Sequence, residues 1–274
     1  IMATHGSAFP IAKLALNNNV PPILMASLRM GMVMLLLIPF WKFKIPDKKY
    51  LKSLILFSIS MGVMVYVFMN LSLKHSSFIS PIIIGAQLAV PFAVLLSAKM
   101  IGESISAKKW MYVILAFVGI IIVFFDPELK NNLLGLFFAS LMALFFAIAQ
   151  VYSRQLKELS LIILNVYTGF FGFFVLIVVS FFVEGEVIIN IKNINFESWI
   201  LISYQAVIVS LFAHMSMFYL YKFYTVGQIF PFYSLFPIFG IILTFLIFGE
   251  IPSLLFFIGS FIVISSVILL QKTK

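Results

Sequence analysis

Apolar residues run through this chain in long blocks separated by short polar or proline-rich gaps. A helix that crosses a membrane needs about 20 apolar residues. Most of the blocks have that length. They predict ten helices: Ile1–Leu16, Pro22–Trp41, Leu51–Leu73, Phe78–Met100, Trp110–Phe125, Leu133–Tyr152, Leu159–Val183, Trp199–Tyr221, Gly227–Phe248 and Leu254–Leu270. The Pro21-Pro22 pair opens the second helix, where a missing N–H costs least. The longest polar gap, Glu184 to Ser198, has room for a small strand or a surface helix. The first block is short for a span. Either the chain continues upstream or this helix is tilted and shielded. It has no basic leader and no water-soluble domain follows it, so it does not read as a signal peptide.

Two blocks echo each other. Ser80 to Glu103 reads SPIIIGAQLAVPFAVLLSAKMIGE, and Gln228 to Glu250 reads QIFPFYSLFPIFGIILTFLIFGE. Each carries a proline in mid-run, Pro91 and Pro237, and each closes on Gly-Glu. Lys74 and Lys222 end the third and eighth blocks, and aligning them sets Tyr66 opposite His214. Five helices per half, residues 1–126 and 127–274, make the second half enter the membrane from the opposite side. The expectation is therefore an all-α integral membrane protein of two inverted five-helix repeats, an architecture of many secondary transporters.

Composition supports lipid as the solvent. Of the 274 residues 63% are hydrophobic and 10% charged, with a mean hydropathy of +1.17. Soluble domains carry about a quarter charged residues. There are no cysteines, which excludes disulfides and thiolate metal sites. The three histidines lack zinc spacing, no P-loop is present, and neither a metal nor any other cofactor is expected. The net charge of +9 resides in gaps between blocks, so it reads as a topology signal and not as a nucleic-acid surface. With the N-terminus in the cytoplasm, Lys42, Lys44, Lys48, Lys49, Lys52, Lys99, Lys108, Lys109, Arg154, Lys157, Lys222, Lys272 and Lys274 fall inside. Only Lys13, Lys74, Lys130 and Lys192 fall outside. That bias predicts a multi-pass protein of the cell (inner) membrane with both termini cytoplasmic.

The segments HGSAFPIAKLAL, PPILMASLRMG, YVFMNLSLKHSSFIS, AQLAVPFAVLLSAKMIGE and IFPFYSLFPIFGIILTFLIFGE resemble the drug/metabolite transporter superfamily. Within it, the chain is similar to EamA-like exporters of amino acids and related metabolites, from His5 to Leu270. The resemblance implies ten helices in two inverted halves. It also implies a central cavity lined mainly by the first, third, fourth, sixth, eighth and ninth. Two positions depart from the family pattern: His5 replaces the usual Trp, and His214 stands where an aromatic is usual.

The acids are informative by where they are not. All nine lie in loops or at helix ends: Asp47, Glu103, Asp126, Glu128, Glu158, Glu184, Glu186, Glu197 and Glu250. An intramembrane charge is expensive, so its presence marks function. A cationic-drug antiporter would want such a carboxylate at mid-helix. A neutral or zwitterionic solute suits amides, hydroxyls and rings better. The candidate substrate-binding residues are His5, Tyr66, Asn70, Gln87, Gln150, His214, Tyr233 and Ser234, with Pro91 and Pro237 as hinges.

Gln87 and Pro91 share a helical face, and Pro91 should free the Gln87 carbonyl, as Pro237 should free that of Tyr233. The bland reading is that both prolines only kink and Gln87 bonds a neighbouring helix. His214 is the one histidine deep in a clear helix and is the candidate for proton coupling; otherwise it is a packed core histidine. Lone amides such as Asn70 and Gln150 more often bridge helices. Arg29 would attract a carboxylate, but the preferred expectation is that it snorkels outward or bonds helix-end carbonyls.

The sequence thus predicts a secondary-active exporter of small neutral or zwitterionic metabolites, amino acids or their derivatives, as a monomer or homodimer. The alternatives are a broad-specificity drug or nucleoside exporter and, from a different class, a membrane enzyme or insertase.

Overall fold

The computed structural model describes residues 1–41, 45–101, 105–213, 215–216, 220 and 235–273. Among the described residues the chain is helical, with no strand. The principal elements are α1 (Met2–Asn17), α2 (Pro22–Leu37), α3 (Lys48–Lys74), α4 (Ser80–Met100), α5 (Ala107–Phe124) and α6 (Leu133–Gln155). After them come α7 (Leu161–Val183), α8 (Phe196–Ala213), α9 (Phe236–Phe248) and α10 (Leu254–Lys272). Eight of these segments are long and apolar enough to cross a membrane, α2 being extended to Phe40 and α6 begun at Pro127 by 3-10 turns. The other two, α1 and α9, have 16 and 13 described residues. The Glu184–Ser198 gap carries a short helix, Val187–Asn193, so the strand alternative is set aside.

Nine of the helix contacts follow an exchange rule. If α1–α5 are traded for α6–α10, the α1·α9 contact becomes α6·α4, the α3·α6 contact becomes α8·α1, and α3·α7 becomes α8·α2. All six contacts occur. The α2·α7, α5·α10 and α4·α9 pairs map onto themselves and also occur.

Small residues let the paired backbones approach, since packing, not apolar burial, drives helix association in lipid. A Cβ on Gly119 would come within 2.8 Å of the Gly259 carbonyl, and one on Gly259 within 2.6 Å of that of Gly119. Gly6 of α1 packs against α9 in the same manner, with the Gly240 nitrogen 2.6 Å from where its Cβ would stand.

The third and eighth helices share an irregularity. α3 widens into a π-helical stretch over Ile59–Val65, and α8 does so over Gln205–Ala213. With Lys74 set on Lys222, Ile59–Val65 falls on Val207–Ala213, inside the second wide stretch. π-turns inside helices are frequent at functional sites.

One end of the bundle is stitched by polar contacts. Pro21 caps α2 without a side-chain acceptor, and the Glu184 carboxylate supplies one from the end of α7. Its Oε1 accepts from the Ile23 N–H at 2.7 Å and its Oε2 from Leu24 at 2.9 Å. The start of α4 is capped likewise. Glu250 Oε2 accepts from the Ile79 N–H at 2.7 Å and Oε1 from Ser80 at 2.8 Å. A carboxylate at a helix N-terminus meets both unsatisfied N–H groups and the positive end of the dipole. Gly249 makes this reach possible: it ends α9 with φ +66, the left-handed conformation that favours glycine. Lys13 donates to the carbonyls of Leu73 at 2.6 Å and Ser76 at 2.7 Å, closing the end of α3. Asn132 Oδ1 accepts from the Ser77 N–H, and Ser253 donates its hydroxyl to Asp126. At the opposite end the Tyr50 hydroxyl donates to Glu158. That hydrogen bond, then Lys49 and Lys157, hold the Glu158 carboxyl below the usual carboxylate range.

Candidate functional site

The bundle interior holds a polar cluster centred on Arg29. This residue is 4% exposed, so the expectation that it snorkels outward is overturned. Its guanidinium points into the bundle because α2 packs against α3 and α8, which both offer polar atoms at that level. Nε donates to Ser210 Oγ at 2.9 Å and Nη1 donates to Gln205 Oε1 at 2.7 Å. The guanidinium carbon lies 4.2 Å from the centre of the Tyr66 ring, a cation–π contact. Gln205 is itself held, since its Nε2 donates to the Ala8 carbonyl at 2.6 Å. Next to it, Tyr204 and Ser7 share a hydrogen bond of 2.8 Å between hydroxyls. At 1.5 Å per residue, Arg29, Tyr66 and Gln205 all lie about 10–14 Å in from the end of the bundle that carries the two glutamate caps. Among the described residues none of the partners of Arg29 is a carboxylate.

Of the residues named from sequence, Tyr66 belongs to this cluster and is buried. Asn70, a turn further along α3, donates Nδ2 to the Pro22 carbonyl at 2.9 Å, the helix-bridging role. Its Oδ1 is buried with no partner among the described residues. Gln87 is 2% exposed, and its Nε2 is also without a partner there. The chain tightens into a 3-10 turn over Ala86–Leu88, one turn before Pro91, and the Ala89 N–H closes that turn on the Ala86 carbonyl. His5 is buried within α1, whereas Gln150 is half-buried on α6. Pro237 stands in the first turn of α9 as described. His214, Tyr233 and Ser234 lie outside the described residues, as does Glu103.

Sequence reasoning missed Gln205, Ser210, Tyr204 and Ser7, and misjudged Arg29. The signal was faint: Ser203-Tyr204-Gln205 is a polar triplet in an otherwise apolar run. Tyr204→Phe tests whether the Ser7 link counts. We expect a loss of stability of about 0.6 kcal/mol, the average for hydrogen bonds between membrane helices, read from unfolding in mixed micelles. A loss above about 2 kcal/mol would exceed that range and give the pair a larger role.

The cluster lies inside a helical membrane bundle, and its chemistry is recognition: donors, acceptors and a ring face around one cation. Among the described residues, no group of three or more His, Asp or Glu side chains is arranged to hold a metal ion. No curated protein matches the chain. A solved crystal structure of a protein 13% identical to it covers 97% of this chain and 94% of its own, with a TM-score of 0.54, and so shares the fold. The model of the EamA-like transporter family matches residues 1–125 and again 133–271. The chain therefore belongs to the EamA-like transporter family, membrane transporters of small molecules.

Proposed function

We propose that the chain is a secondary-active exporter of small neutral or zwitterionic metabolites, amino acids or their derivatives, working by alternating access. In this reading ten helices form two inverted halves, 1–126 and 127–274, in the inner membrane with both termini cytoplasmic. The packing exchange rule supports two related halves that trade conformations around a site between them. Thirteen cationic side chains against four support the orientation.

The observation that carries the substrate class is the character of the interior. Tyr66, Asn70, Gln87, Gln205 and Ser210 are buried amides and hydroxyls, and among the described residues every carboxylate stands at a helix end or in a loop. A lipophilic cation would find no counter-charge there, which disfavours the cationic-drug alternative.

Counterflow decides it. Proteoliposomes loaded with an excess of unlabelled neutral amino acids should accumulate the labelled ones transiently. Exchange of a cationic dye in the absence of any amino-acid exchange would overturn the substrate class.

A further inference from the structure

We infer that Arg29 is the receptor for a carboxylate on the transported solute, so that the solutes are zwitterions and not uncharged molecules. This rests on the export reading above and narrows it. A guanidinium has five N–H donors. Two of the five are committed, Nε to Ser210 and one Nη1 hydrogen to Gln205. Among the described residues, the other three have no acceptor. They are both hydrogens on Nη2 and one on Nη1, the two terminal nitrogens that together form a fork meeting both oxygens of a carboxylate.

The rest of the cluster serves to aim that fork. Gln205 is fixed to the Ala8 carbonyl, and it holds Nη1 in turn. Ser210 holds Nε, and Tyr66 supports the flat face of the guanidinium. The group is thereby held at Nε, at Nη1 and across one face, and Nη2 is left over. These contacts join α1, α2, α3 and α8, so an anion bound at the fork would be sensed by both halves of the bundle.

Electrostatics gives the same answer. A charge deep in a membrane bundle persists where it is paired, and ordinarily its partner is another side chain. Here the partners are an amide, a hydroxyl and a ring, none with a full negative charge. The acids that could neutralise Arg29 are used elsewhere. Glu184 and Glu250 cap helix ends and Asp126 takes the Ser253 hydroxyl. A solute carboxylate supplies the missing charge. Lysine cannot substitute fully, because an ammonium lacks the planar fork.

The test uses the full chain with Arg154→Lys as background, since Arg29 and Arg154 are its only arginines and Arg154 is exposed at the end of α6. Phenylglyoxal, which condenses with guanidinium groups, is applied in detergent and its addition to Arg29 followed by peptide mass spectrometry. Neutral amino acids should slow that addition about tenfold at saturation, in line with a charged hydrogen-bond pair, and the corresponding amino-acid amides should not. Counterflow in proteoliposomes should prefer acids over amides in the same order. Arg29→Gln should abolish that preference and Arg29→Lys should retain part of it.

Equal protection by acids and amides, no protection by either, or an intact preference in Arg29→Gln would overturn the assignment. If acids exchange in counterflow but do not protect Arg29, the receptor role falls and the export reading stands. If acids protect but nothing exchanges, the receptor stands and the export reading falls. Should Arg29→Gln fail to fold, the protection measurement on the Arg154→Lys protein decides alone.

Discussion

Glu250→Ala should cost about 2–5 kcal/mol of stability, because it strips the acceptor from two buried N–H groups at once. Ile79 and Ser80 are 1% and 0% exposed, and no other acceptor is in place for their N–H groups among the described residues. Glu250→Gln should lose less, since its amide oxygen still accepts one of the two bonds but brings no charge to the helix dipole. Reversible unfolding in mixed detergent micelles measures both. An alanine variant within about 0.5 kcal/mol of the parent, the range of an ordinary surface substitution, would mean that water caps α4 equally well. The loss has a functional side too. The carboxylate comes from the second half and the capped helix from the first, so its removal loosens this end of the bundle. Accessibility of a cysteine placed at Phe78 to a hydrophilic maleimide should rise in Glu250→Gln.

Gly259→Leu should be at least as damaging, by about 3 kcal/mol or more, at or past the upper end for overpacking. The obstacle is backbone: the Gly119 carbonyl lies 2.6 Å from where the new Cβ would stand, and the Val123 nitrogen lies 3.2 Å away. A flexible side chain could turn aside, but α5 itself would have to move. Ile258→Leu, one residue earlier and 44% exposed, should leave the melting temperature unchanged and serves as the control. Equal melting of the two variants would argue that α5 and α10 are not in contact in the membrane.

Much of the architecture was legible because lipid imposes a simple code. A helix in hydrocarbon must be long and apolar, and its flanks must carry the charges. Hence the blocks from Pro22 onward lie on observed helices, within several residues at their ends. The first block, expected short at Ile1–Leu16, lies on α1, and the ninth meets α9 from Phe236, its earlier part lying outside the described residues. The site was legible only in part. Tyr66 could be singled out because a polar ring in an apolar run stands apart. Arg29 was misjudged because its distance from the helix end permits snorkelling, and only the packing of α8 against α2 reveals which way the side chain turns. Glu184 and Glu250 carried no signal of their partners, because a cap supplied from another helix leaves no trace in local spacing.

The wide stretches in α3 and α8 bear on history. Each holds more residues per turn than an α-helix, as an inserted residue produces, and the first falls on the second when Lys74 is set on Lys222. Two separate insertions would have had to strike the same register twice in unrelated events. A single insertion in one ancestral half, copied when that half was duplicated, requires only one. By that account the irregular turn is older than the two-half protein.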